Sequence, residues 1–147
     1  MEKIQLTKNF TLNELCASQT ATARKIDNTP TVSVACALTA LAQNVLQPLR
    51  DHVGAAITIG SGYRCPKLNA AVGGVSNSQH MTGQAADICL NGNWTRGKEW
   101  FEWIRTHLKF DQLIWEKNPK TGNYWIHVSF RADGQNRQHV ISYLEKK

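Results

Sequence analysis

The sequence predicts an α+β fold, a small antiparallel sheet with helices packed on it, and three observations carry that expectation. Stretches with apolar residues at helical spacing alternate with short β-branched runs. A turn-rich stretch at 118–123 (Asn-Pro-Lys-Thr-Gly-Asn) separates two of those runs, so at least one strand pair is antiparallel. The 147 residues suit one domain, 1–147, built around a single core.

Taken in order, Thr11 is placed to cap a short helix over 12–17, with Glu14 at the capping-box position. The polar segment 17–31, rich in Ser, Thr and Asn, reads as a loop. Thr29 caps the next helix and Pro30 takes its first turn. Val34, Leu38, Leu41, Val45 and Leu49 then recur at helical spacing to about Asp51, and Pro48 kinks the last turn. Residues 56–59 are short, β-branched and bounded by glycines, which predicts a strand. A short helical piece at 69–72 stops at Gly73 and Gly74. A buried strand is expected at 85–90. Thr95 opens a helix to about Leu108, with Trp100, Phe101, Ile104 and Leu108 on one face. Strands at 112–116 and 124–130 form the hairpin, and 140–144 supplies a final strand.

Composition narrows the function. The chain is 41% hydrophobic and 19% charged, so it is neither disordered nor strongly polar. Its 17 basic and 11 acidic residues give a net charge of +6. The basic residues are scattered, the densest groups being pairs such as Arg24–Lys25 and Lys146–Lys147, and no nucleic-acid recognition motif is present. No nucleic-acid partner is therefore expected. The charge reads either as a solvated surface or as attraction to an anionic polymer such as a cell wall. No apolar run approaches the roughly 20 residues of a membrane span, so no membrane association is expected. The first 15 residues lack the apolar stretch and cleavage site of a signal peptide, which predicts a protein made in the cytoplasm. Cys16, Cys36, Cys65 and Cys89 lie far apart without a CxxC pair and read as reduced thiols.

The chemistry concentrates in two segments. In Ser78-Gln79-His80-Met81-Thr82-Gly83-Gln84-Ala85-Ala86-Asp87, a loop His precedes a glycine reversal and an Asp set inside an apolar strand. A partly buried carboxylate there needs a cation or hydrogen bonds to offset lost hydration. Backbone amides with an unrelated surface His would satisfy it, and so would a metal. In Trp125-Ile126-His127-Val128-Ser129, strand alternation puts Trp125, His127 and Ser129 on one face. Glu116 closes the apolar run Leu113-Ile114-Trp115 on the neighbouring strand, where the hairpin can bring it near His127. Two His, one Asp and a nearby Glu are the side chains of a catalytic zinc site: three ligands, an open position, and a carboxylate to take a proton from water. His52 and His107 near helix C-termini suit the helix dipole, and His139 reads as solvated. Trp94, Trp100 and Trp103 read as core or helix-surface aromatics, and Cys65 as a small packed residue.

Ser-x-His-x-x-Gly-x-Ala-x-Asp followed by Trp-Ile-His-Val-Ser resembles the zinc D-alanyl-D-alanine carboxypeptidases and related peptidoglycan peptidases, whose fold is shared with the hedgehog signalling domain. Ser61-Gly62-Tyr63-Arg64, Asn69, Phe110-Asp111-Gln112-Leu113-Ile114-Trp115-Glu116 and Phe10-Thr11-Leu12-Asn13-Glu14-Leu15 also look like the family's pattern, so the resemblance spans residues 10 to 130. It implies that His80, Asp87 and His127 hold one zinc ion (Zn2+). It implies that Glu116 is the general base for the activated water and then the acid for the leaving amine. Arg64 would bind a substrate carboxylate or polarise the scissile carbonyl. Tyr124 stands where several relatives carry their acid, and Trp125 where some carry a further His. The implied function is a zinc peptidase cleaving peptidoglycan stem peptides at the cell wall, reached either as a phage or prophage lysin or by export along another route; a monomer is expected. The alternative is an inactive zinc-containing binding module on the same fold.

Overall fold

A computed structural model describes residues 3–145; the Lys146–Lys147 pair lies outside them. Helix α1 (Leu12–Cys16) carries the expected reciprocal cap, with Glu14 N donating to Thr11 Oγ1 at 3.2 Å and Thr11 N donating to Glu14 Oε1 at 3.1 Å. The polar segment after it is not all loop. Ser18 caps a five-residue helix, α2 (Gln19–Ala23), through the amide of Ala21.

The long helix starts two residues later than its sequence suggests. Thr29 is engaged by Asp27, whose Oδ1 accepts from both its amide and its hydroxyl, and Thr31 caps α3 (Val32–Leu41) instead. Pro48 acts on the helix through the turn before it. Without an amide proton, and with its ring pressed against the carbonyl four residues back, proline disfavours the ordinary ladder. The chain widens into a π turn at Ala42–Leu46, Gln47 N bonding to Ala42 O, before α4 (Gln47–Val53) resumes. The continuous helix Val32–Val53 has 22 residues and an 18-residue window with a mean hydropathy of 1.3, long and apolar enough by length and composition to cross a membrane. This corrects the expectation that no apolar run approaches a span. In the fold its apolar stripe is spent on packing, since Leu38, Leu41, Ala42, Val45, Leu46 and Leu49 are fully buried.

Strand β1 (Ile59–Ser61) starts three residues later than expected and overlaps the expected one only at Ile59; Gly60 is where the backbone passes close to Cys89. Helix α5 (Pro66–Ala71) starts earlier than expected, with Cys65 Sγ accepting from the Leu68 amide and Pro66 in the first turn. A 3₁₀ turn (Gln79–Thr82) leads into β2 (Ala85–Cys89). Asn93, not Thr95, caps α6 (Trp94–His107). The hairpin β3 (Gln112–Lys117) and β4 (Tyr124–Ser129) follows, then β5 (His139–Glu145).

The strands form one sheet in the order β1-β2-β4-β3-β5. It is antiparallel except at its edge, where β5 runs parallel to β3. Alternation divides its two faces. Ala86, Ile88, Leu113, Trp115, Ile126 and Val128 lie in one core with Trp100, Phe101 and Ile104 of α6 and the long-helix leucines. Each buried large side chain is worth roughly 1.5–3 kcal/mol, so this face holds the sheet in place. The opposite face is left for other work. Trp94 and Trp103 pack against the core rim, as helix-surface aromatics would.

The glycine between His80 and Asp87 has a physical reason. Gly83 has φ +76°, and a Cβ there would lie 2.7 Å from the Val34 carbonyl oxygen and 2.9 Å from Val34 Cγ1. Gly83→Ala therefore combines a left-handed backbone with overpacking and should cost about 2–4 kcal/mol, seen as a lower denaturant midpoint with unchanged slope.

Candidate metal centre

Register brings the distant ligand candidates together. Asp87 on β2 faces His127 on β4, and His127 faces Ile114 on β3, two residues from Glu116. All lie on the face opposite the core. His80 arrives from outside the sheet, on the 3₁₀ turn, and Gly83 reverses the chain so that the turn folds back over β2. The ligating atoms of His80, Asp87 and His127 lie within 4.8 Å of one another.

The tautomer of His80 is set by its surroundings. Its Nδ1 lies 2.7 Å from the Gly62 carbonyl, which only accepts, so Nδ1 carries the proton of the neutral ring. A side chain at Gly62 would collide with the Leu15 carbonyl, so glycine is what lets this stretch approach α1. The other nitrogen, Nε2, then presents a lone pair 3.3 Å from Asp87 Oδ1, buried and with no hydrogen-bond partner. A lone pair facing a carboxylate oxygen is repulsive unless a cation lies between them. Burial disfavours protonating His80 and pushes its pKa below the ordinary histidine value.

His127 Nδ1 lies 3.0 Å from the same Asp87 oxygen and 3.7 Å from Glu116 Oε1. Burial alone would raise the Asp87 carboxyl. The two imidazoles beside it, His80 first and then His127, outweigh burial and hold it well below the usual carboxylate range. Ligand atoms on a tetrahedral ion with arms of about 2.0–2.1 Å stand roughly 3.3 Å apart. The 3.0 and 3.3 Å separations, and a donor set of two imidazoles and a carboxylate, fit one zinc ion.

A cavity of about 580 Å³ opens over this face, lined among others by His80, Glu116, His127, Gln79, Asp111 and Arg137. Arg64 is not in its lining. The Arg64 side chain is buried behind Ser78, reaching Ser78 Oγ at 3.4 Å through Nη2, while its backbone amide donates to the His80 carbonyl at 2.9 Å. Burial pushes its pKa down, and the charges of Asp87 and Glu116 oppose that. Tyr124 lies on the core side of the sheet, its ring against Trp94 and Trp115.

The other histidines lie outside the cluster. His52 pairs with Glu99 at 2.7 Å and stacks on Trp103, and His107 stacks on the same indole. The four cysteines are unpaired thiols, and burial pushes Cys16 up to about 11. From sequence, Asp111 is part of the family-like segment 110–116 and only a reserve candidate for the base; in the fold its fully buried carboxylate accepts from Gln79 and Arg137. Its signal was a charge opening an apolar strand, the same signal that marked Glu116 at the other end.

A zinc D-Ala-D-Ala carboxypeptidase of Streptomyces albus G is 48% identical over 44 residues, a stretch covering 29% of this chain and 17% of that protein. The sequence pattern of the Peptidase M15 family matches residues 8–129. That match runs from before α1 to the end of β4 and takes in Arg64, His80, Asp87, Glu116 and His127. The chain belongs to the peptidase M15 family.

Proposed function

We propose that this protein is a zinc-dependent peptidase hydrolysing peptide bonds of peptidoglycan stem peptides, as a D-Ala-D-Ala carboxypeptidase or a related endopeptidase. The observation that carries the proposal is the buried, unpartnered Nε2 of His80 facing Asp87 beside His127, at the floor of an open cavity. Family membership and the activity named for the Streptomyces relative support it. The net charge of +6 suits an anionic cell wall, and residues 1–147 are taken as one domain acting as a monomer.

His80, Asp87 and His127 would hold the ion. Bound zinc supplies Lewis acidity, acidifying water and polarising a carbonyl. The chain's own part falls to Glu116 and Arg64. Glu116 is 3% exposed and lines the cavity, with Oε1 beside His127. From there Oε1 accepts the proton of the attacking water and returns it to the leaving amine as the peptide bond breaks. Arg64, behind Ser78 and outside the cavity lining, would contribute a fixed positive charge that acts from a distance through Asp87 and Glu116. The sheet and the 3₁₀ turn keep these groups in place before substrate arrives, so little reorganisation is needed during reaction.

Glu116→Gln keeps shape while removing the basic oxygen. Zinc content and folding should survive, and turnover on purified peptidoglycan should fall by about 10²–10⁴-fold. A variant as fast as wild type would remove Glu116 from the base role, and a wild type without turnover would favour a binding module. His127→Ala should lose most of the zinc, measured by elemental analysis as a fall from about one ion per chain. Undiminished zinc would overturn the ligand assignment. Arg64→Lys keeps charge but loses the planar fork that reaches Ser78. Activity should drop roughly 10–100-fold, the loss expected for one charged hydrogen bond, with zinc content unchanged.

A further inference from the structure

The segment that opens with Phe110 and Asp111 has a second acid that the proposed reaction does not use. Asp111 is fully buried just ahead of β3, and its carboxylate accepts four hydrogen bonds. Three come from Arg137 in the loop between β4 and β5: from its amide at 3.1 Å, Nε at 2.9 Å and Nη2 at 2.8 Å. The fourth comes from Gln79 Nε2 at 2.8 Å. Arg137 already compensates the charge, so the Gln79 bond is not required to keep the carboxylate buried.

Gln79 gives something up to make that bond. A carboxylate only accepts, so the amide must turn Nε2 towards Asp111, and Gln79 Oε1 is then buried without a hydrogen-bond partner. An unpartnered buried oxygen lowers stability, and an apolar side chain of the same length would avoid it. What the arrangement supplies is position. Gln79 directly precedes His80 in the 3₁₀ turn, and its carbonyl accepts from Gln84 N at 3.0 Å and Thr82 Oγ1 at 3.1 Å. The turn is thus pinned at its backbone from one side and, through the Gln79 side chain, to Asp111 at the entry to β3 on the other.

We propose that Gln79 and Asp111 are positioning residues for the metal centre, the bond between them fixing the 3₁₀ turn that delivers His80 to Asp87 and His127. The inference rests on the ligand assignment above. Its test is Gln79→Met, which keeps length, removes the bond and removes the unpartnered oxygen. Zinc affinity by chelator competition, the visible spectrum of the cobalt-substituted protein and the melting temperature of metal-free protein are measured for wild type and variant. Zinc affinity should weaken by about 10–100-fold, as for other supports of metal ligands, with an altered cobalt spectrum. The metal-free melting temperature should fall by no more than about 2 °C. Equal zinc affinity in the two proteins would overturn the inference while leaving the ligand assignment standing. A larger fall in melting temperature with unchanged affinity would make Gln79 a stability residue and overturn it too. A wild type that binds neither zinc nor cobalt would overturn the ligand assignment and this inference together. Should Gln79→Met not fold, Gln79→Asn, which retains an amide but falls short of Asp111, is read by the same affinity criterion.

Discussion

A carboxylate oxygen of Asp87, set on the face of the sheet that the core does not use, lies within 3.3 Å of nitrogens from two histidines. Much of the fold follows from making that juxtaposition durable. Charges removed from water cost several kcal/mol each unless compensated, and here the groups meet at the floor of a cavity. The Gly62 carbonyl accepts a hydrogen bond from His80 Nδ1, which leaves Nε2 as a lone pair aimed at an anion. Such a contact is stable when a cation completes it. The cost of holding these groups together falls on the rest of the protein, and the apolar face directly beneath them offsets it.

Strand alternation is the device that joins stability to chemistry. Ile88, Ile126, Val128 and Leu113 are fully buried on one side of the same strands that carry Asp87, His127 and Glu116 on the other. A one-residue slip of β4 would exchange the two sets and destroy core and site at once. Packing against α6 and the long helix therefore fixes the register on which the metal centre depends. His80, the one candidate ligand not on a strand, needs separate support. Gly83, the carbonyl of Gly62 and the Arg64 amide hold its turn.

Local signals in the sequence were the legible ones. The Thr11 and Glu14 cap involves residues three apart, and its geometry matches the expectation. The α6 face and the β3–β4 hairpin were legible for the same reason, since periodicity and turn residues act over short distances. Thr29 and Thr31 were equivalent as caps until Asp27 claimed the first of them, a competition the spacing does not reveal. α2 has no apolar stripe and rests largely on its Ser18 cap, so periodicity could not find it. The parallel pairing of β5 with β3 depends on a contact across the whole hairpin. In the site, His80, Asp87, His127 and Glu116 stood out because each is a polar residue in an apolar or glycine-marked setting. Asp111 carries the same mark, but Arg137 lies 26 residues away in an irregular loop, and only the folded chain joins them. The location of Arg64 behind Ser78 was equally hidden, since a turn residue's side-chain direction is not written in its spacing.

The central claim is that two imidazoles and one carboxylate, His80, His127 and Asp87, are the protein ligands of a single zinc ion. X-ray absorption at the zinc edge of the zinc-loaded protein tests it most directly. The account predicts one tightly held ion per chain, a first shell of nitrogen and oxygen at about 2.0–2.1 Å including two imidazoles, and no sulfur. A sulfur shell at about 2.3 Å would move the metal to the cysteines, and a protein that retains no zinc would leave the lone pair of His80 unexplained; either result contradicts the account.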